Sequence, residues 1–177
     1  MKFISDRMLG RLSRWLRIFG YDTLEIRKQK NEDDVLLELA EKEDRILISR
    51  DALLIRRAIR KGIRAYLVRS SEIMEQLREM RSEFQLNLDP EMNRCTLCNS
   101  IIQKIEPFEM EILKTKDYVY LERLEKGTEF WICDNCGQVY WKGTHWKKIM
   151  ESADILKKAI SGIFPSIKTR FNAISKP

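Results

Sequence analysis

Arg45-Ile46-Leu47-Ile48-Ser49-Arg50-Asp51 decides how this chain folds. Three consecutive large apolar residues stand between a charged entry and an abrupt polar exit. A run so short and so apolar reads as a strand buried on both faces. The next residues, 51–62, read as a helix that a glycine, Gly62, closes. Asp51 then lies at or just past the carboxyl end of a central strand, where open α/β sheets collect ligands and catalytic groups. Asp6 holds the same kind of place after Lys2-Phe3-Ile4-Ser5.

Working outward, the pattern repeats. Residues 7–19 form a helix ended by Gly20, with Met8, Leu12, Trp15, Leu16 and Phe19 at helical spacing. Residues 22–26 suit a second strand. Asn31 or Asp33 can cap a helix that turns Val35, Leu36, Leu39 and Ala40 inward. A strand at 65–68 follows, then a helix capped by Ser70 or Ser71 with Ile73, Leu77, Met80 and Phe84 on one face. Four strand–helix alternations predict an α/β fold: a mainly parallel sheet flanked by helices, with right-handed crossovers. Residues 85–93, with Asp89-Pro90, read as a linker. The expected organisation is an α/β domain over 1–88, a β-rich module over 94–146 with strands near 118–121 and 130–132, and a basic helical tail over 147–177.

Composition narrows the class. No apolar run approaches the ~20 residues of a membrane span, and Asp6 and Arg7 interrupt any secretory pattern; a cytoplasmic protein is expected. The net charge is +6, and residues 147–177, with seven Lys/Arg against two acidic residues, carry +5 of it. Such a tail favours polyanions, nucleic acid above all.

All four cysteines fall in two Cys-x-x-Cys pairs, Cys95/Cys98 and Cys133/Cys136, with 34 residues between the pairs. Four thiolates satisfy tetrahedral zinc and leave no open position, which makes the metal structural. The module is expected to lack apolar residues for a core, so that zinc supplies its folding energy. Behind the second pair, Trp141, Lys142, His145 and Trp146 interleave aromatic and basic groups, as surfaces that stack bases do. The competing reading has Trp131, Trp141 and Trp146 pack the module onto the first domain and His145 serve in packing.

Carboxylates at strand ends suit hard divalent cations. Asp6 and Asp51 are candidate Mg²⁺ or Mn²⁺ ligands, joined by Asp33, Asp34 or Glu38 near the start of the second helix, with Asp22 weaker. Both Asp6 and Asp51 also suit plain helix capping. Arg7, Arg11 and Arg14 share a helix face, with Arg17 beside it, able to bind phosphate or to pair with surface acids. Arg56, Arg57, Arg60, Lys61 and Arg64 make a second basic cluster that suits a solvated face.

Three stretches of the first half, Phe3-Ile4-Ser5-Asp6-Arg7-Met8-Leu9, Leu12-Ser13-Arg14-Trp15-Leu16-Arg17 with Gly20-Tyr21-Asp22, and residues 45–51, resemble the Mut-seven C-terminal RNase domain family. So do Arg94-Cys95-x-x-Cys98-Asn99 and the run from Cys133 through Trp146. The resemblance covers about residues 2–150. It implies a PIN-like domain joined to a zinc ribbon, and an Mg²⁺- or Mn²⁺-dependent ribonuclease. Asp6 and Asp51 carry over as acidic-site positions, with an acid of the Asp33-Asp34 region. The family pattern puts a further acid after Asp51, whereas residues 52–62 hold none, which leaves Asp22 or Glu38 to complete the set. An RNA endonuclease acting on rRNA or tRNA precursors is the leading expectation. A non-catalytic RNA- or ribosome-binding protein with a decayed acidic site is the alternative. A toxin-like nuclease is a third, weaker fit.

Overall fold

The computed structural model describes residues 1–26, 31–119 and 127–158. Four strands, β1 (Lys2–Ser5), β2 (Asp22–Glu25), β3 (Ile46–Ser49) and β4 (Ala65–Leu67), form one parallel sheet in the order β2-β1-β3-β4. The helices between and after them are α1 (Gly10–Ile18), α2 (Glu32–Lys42), α3 (Ala52–Arg60) and α4 (Ile73–Phe84). Side chains alternate across a strand, and the two cores follow that period. Phe3, Ile46 and Ile48 pack on one face with Leu12 and Leu16 of α1 and Leu77 and Met80 of α4. Ile4 and Leu47 pack on the other with Leu36 and Leu37 of α2 and Leu54 and Ala58 of α3. Every residue of β3 is buried, as its apolar run predicts.

Local readings need adjustment. The first helix opens as a 3₁₀ turn (Arg7–Leu9) before α1. That change of winding buries Leu9 and leaves Met8 60% exposed, contrary to the helical spacing. In α2, Leu37 is fully buried and Val35 only partly so. Asn31 takes the cap position in left-handed geometry (φ 60°) with no side-chain cap bond. Neither serine caps α4; Glu72 does so by position, and Ser70 Oγ accepts its N–H.

Residues 85–93 are packed down rather than strung out. Leu86 and Leu88 join the first core, and Glu91 N–H donates to Ile18 C=O. The second module is a three-stranded antiparallel sheet, β5 (Gln103–Lys104), β6 (Phe130–Ile132) and β7 (Val139–Trp141). Its strand near 130–132 stands as expected. Tyr118 lies in a turn, and residues 120–121 fall outside the described residues. The module does own a small apolar core, Ile105, Leu113, Val119, Phe130 and Val139, which corrects the expectation that it lacks one. The 3₁₀ helix Pro107–Thr115 supplies Leu113. A final helix, α5 (Thr144–Lys158), crosses the boundary expected between 146 and 147. It folds back on α4: Ala153 and Leu156 enter the first core, and Arg81 donates to Leu156 C=O at 2.9 Å. The rest of the tail, from Ala159 on, lies outside the described residues. Among those residues no helix is long and apolar enough to cross a membrane.

Candidate acidic site and zinc knuckles

The register explains why Asp6 meets Ser49, two residues before Asp51. Ser5 stands opposite Ile48, so the next pair along is Asp6 and Ser49. The Ser49 hydroxyl is fully buried. It accepts the Asp51 N–H at 2.8 Å and donates to Asp6 Oδ2. One hydroxyl thus joins two strand-end aspartates. Because the amide must donate to Oγ, the hydroxyl proton is directed at Asp6. Each aspartate also caps the helical turn after it. Asp6 Oδ1 accepts Met8 N–H at 2.8 Å, and Asp51 Oδ1 accepts Leu53 and Leu54 N–H at 2.7 and 3.2 Å. Capping is therefore real for both. It leaves Asp51 Oδ2 outside the cap bonds.

Asp6 is 6% exposed and Asp51 is open to solvent. Burial pushes the Asp6 carboxyl above its ordinary range, against the pull of bonds from Ser49, Met8 and Leu9, and the charge of Glu32 adds to the rise. Glu32, the first residue of α2, is thus the α2 acid whose field acts on Asp6. Sequence reading passed it over for its neighbours. The signal available was its place at the very start of the helix, where alternation along β1 and β3 turns Asp6 and Ser49 toward the α2 side.

The other candidates are spent elsewhere. Asp33 and Asp34 pair with Arg57 of α3, Asp33 at 3.0 Å. Glu38 is exposed along α2. Asp22 opens β2 opposite Lys2. That position is four residues back from Asp6, about 13 Å along the strand direction, at the other end of the sheet. There it is paired with Arg45 at 2.6 Å and accepts from Asn99 at 2.8 Å. Burial pushes its carboxyl up, but those two partners outweigh it and hold Asp22 below the ordinary range.

Arg7, Arg11 and Arg14 are exposed and form no ion pair among the described residues. Arg17, 3% exposed, faces inward instead and donates to Thr23, Thr96 and Leu97 carbonyls. Its place on α1 turns it to the β2 edge, not to solvent. The aromatic run divides: Trp141 packs beside Phe130 in the module's own core, Lys142 Nζ sits 5.2 Å over the Trp131 ring, His145 is exposed and Trp146 half-buried.

The four cysteine sulfurs lie within 4.8 Å of one another. Cys95–Cys136 and Cys98–Cys133 Sγ atoms are 3.5 and 3.4 Å apart, near the ~3.8 Å edge of a tetrahedron with Zn–S of about 2.3 Å. Both knuckles are built alike. The residue four after the first cysteine, Asn99 (φ 72°) or Gly137 (φ 71°), is left-handed and donates its N–H back to that cysteine's carbonyl. Only glycine and asparagine take that geometry readily. The Tyr140 hydroxyl lies 3.1 Å from Cys95 Sγ and accepts Thr96 N–H, an outer partner for the ligand. The thiols titrate apart. Burial raises Cys98, yet bonds with Asn135 and Ser100 draw it down to about 5, while burial and neighbouring sulfurs push Cys136 up to about 12. A cation among them reconciles four thiolates, so the donor set fits zinc. Among the described residues this is the group of three or more ligating side chains that converges; the carboxylates form none.

A parallel α/β sheet with two aspartates at its carboxyl edge, joined to a ribbon whose four clustered cysteines could hold a metal, defines a class of two-module proteins. Residues 1–153 match the family model of the Mut7-C RNAse domain, and the chain belongs to that family. No curated protein and no solved structure matches it.

Proposed function

We propose that this protein is a divalent-metal-dependent ribonuclease, and an endonuclease, with Asp6 and Asp51 at its centre. The observation that carries this is the Asp6–Ser49–Asp51 relay at the ends of neighbouring strands, in a chain of an RNase-domain family. The donor set suits a hard cation that keeps several waters. Asp6 retains lone pairs beside its bonds, Asp51 Oδ2 stands outside the cap, and Glu32 adds negative field. When bound, Mg²⁺ or Mn²⁺ supplies charge neutralisation at the phosphodiester and an activated water. The chain's own part is positional. Ser49 fixes the Asp6 carboxylate, and the α3 amides fix Asp51. Arg7, Arg11 and Arg14 meet the RNA backbone beside them. The ribbon, Lys142, His145 and the basic tail extend that contact, with rRNA or tRNA precursors as candidate substrates.

A second reading rests on a specific observation: Asp33 and Asp34 are paired with Arg57 instead of joining Asp6. On that reading the chain binds RNA without cutting it. Labelled RNA incubated with Mg²⁺ or Mn²⁺ decides, using wild type, Asp6→Asn and Asp51→Asn. Cleavage by wild type that both substitutions abolish supports the nuclease. RNA binding without cleavage supports the second reading, and cleavage that survives both substitutions sinks the proposed site.

A further inference from the structure

We infer that the Cys95/Cys98 knuckle locks the open edge of the parallel sheet, so that zinc occupancy and the folding of the α1–β2 edge form one linked equilibrium. The inference rests on the zinc reading of the four cysteines. Among the described residues strand β2 is an edge strand, paired with β1 alone. An open edge presents unpaired N–H and C=O groups that must be covered or solvated. Thr23 is fully buried there. Its N–H donates to Asn99 Oδ1 at 2.9 Å, and its C=O accepts Arg17 Nε at 2.8 Å.

Both covering groups depend on the knuckle. Asn99 is its left-handed residue, and its amide nitrogen also donates to Asp22. The Arg17 guanidinium donates onward to Thr96 C=O at 2.9 Å and Leu97 C=O at 3.1 Å, the two residues between the cysteines. Arg94, just before Cys95, donates to Gly20 C=O and Asn99 C=O, tying α1's exit to the same turn. Opening the knuckle removes the Thr23 N–H acceptor and two acceptors of a buried guanidinium. Such losses are costly in a dry site. Zinc folds the knuckle, and by reciprocity a formed edge tightens zinc. The sheet edge of the nuclease-like domain is thus completed from outside it.

The test is amide exchange at Thr23 in the full-length protein, followed by NMR, zinc-loaded and after chelation, with metal content measured in parallel. Asn99→Gly keeps the left-handed backbone and deletes only the carboxamide. The expected result is exchange at Thr23 faster by about tenfold or more without zinc, equally fast in Asn99→Gly with zinc present, and weaker zinc affinity in that variant. Amides in the central strand β3 should change far less. Thr23 exchange unchanged by chelation, with zinc demonstrably bound and then removed, overturns the linkage alone. A protein that takes up no zinc overturns the metal reading and the linkage with it. Unaltered zinc affinity in Asn99→Gly, with Thr23 deprotected, overturns the reciprocity.

Discussion

Ser49→Ala is the sharpest perturbation of the acidic edge. It removes one oxygen and leaves two groups without their partner. Asp6 Oδ2 loses its only hydroxyl donor, and the Asp51 N–H loses its acceptor. A hydrogen bond to a charged group contributes ~1.5–3 kcal/mol, and burial denies Asp6 easy replacement by water. The expected loss of stability at neutral pH is therefore ~2 kcal/mol. Its pH dependence follows from the sign of the shift. Asp6 is already held above its ordinary range by burial, so the folded state keeps the proton more tightly than the unfolded chain. Its contribution to stability is then greatest below the unfolded carboxylate value and declines as pH rises through the folded one. Ser49 is one of the bonds that limit this rise. Without it the decline is steeper and reaches higher pH. The difference between wild type and variant, from urea unfolding at several pH values, should be smaller near pH 4, where the loss at the Asp51 N–H persists, and grow toward pH 8 as Asp6 ionises. The acid limb of RNA cleavage should move to higher pH in the same variant, and Ser49→Thr should restore both. A pH-independent stability difference with an unmoved acid limb would refute the idea that Ser49 holds the Asp6 carboxylate.

Three further sets of substitutions probe separate parts. Arg45 is 6% exposed, pairs with Asp22 and Glu43 and donates to Phe3 C=O; Arg45→Met strands the Asp22 charge and should cost ~3 kcal/mol or more in thermal unfolding, whereas Arg57→Ala at an exposed pair should cost under about 1. Asp51→Asn should keep the α3 cap and abolish cleavage, while Asp51→Ala should abolish cleavage and also lose ~1 kcal/mol of stability. Replacing Arg7, Arg11 and Arg14 together by Gln should weaken RNA binding across sequences and flatten its salt dependence by about two in log–log slope; an unchanged slope means the face does not meet phosphate.

The β3 run was legible because a strand buried on both faces is apolar along most of its length, and Ile46, Leu47 and Ile48 fill both cores. Position alone also brought out Asp6 and Asp51, since strand ends in a parallel sheet share an edge. What the sequence hid depends on register and winding. Ser49 looks like any strand-terminal serine until the offset of β1 against β3 sets it beside Asp6. Asp22, the weaker candidate in sequence, opens β2 and so lies at the opposite end of the sheet from Asp6. Arg17 shares the pattern of Arg14 and Arg11, but one step round the helix turns it from solvent to the sheet edge. Met8 and Leu9 exchange roles because a 3₁₀ turn shifts the face by its tighter winding. The ribbon core escaped notice because its residues are scattered from Ile105 to Val139.

Helix α1 ties the two halves of this arrangement together and separates their chemistry. Its entry is fastened at Asp6, and Arg17 near its exit is fastened to the first knuckle. Nine helical residues span about 13 Å. The knuckle therefore makes no direct contact with Asp6. Any effect of zinc on cleavage must pass through the placing of α1 and β2. An effect of that origin removes folded molecules from the active pool and lowers activity alike on every RNA. A change confined to one RNA would instead locate the ribbon in substrate contact. Comparing Asn99→Gly on two unrelated RNAs, one short and unstructured and one folded, separates these routes. Equal losses on both point to the edge lock. A loss on the folded RNA alone assigns the ribbon a part in recognition that the sheet edge does not explain.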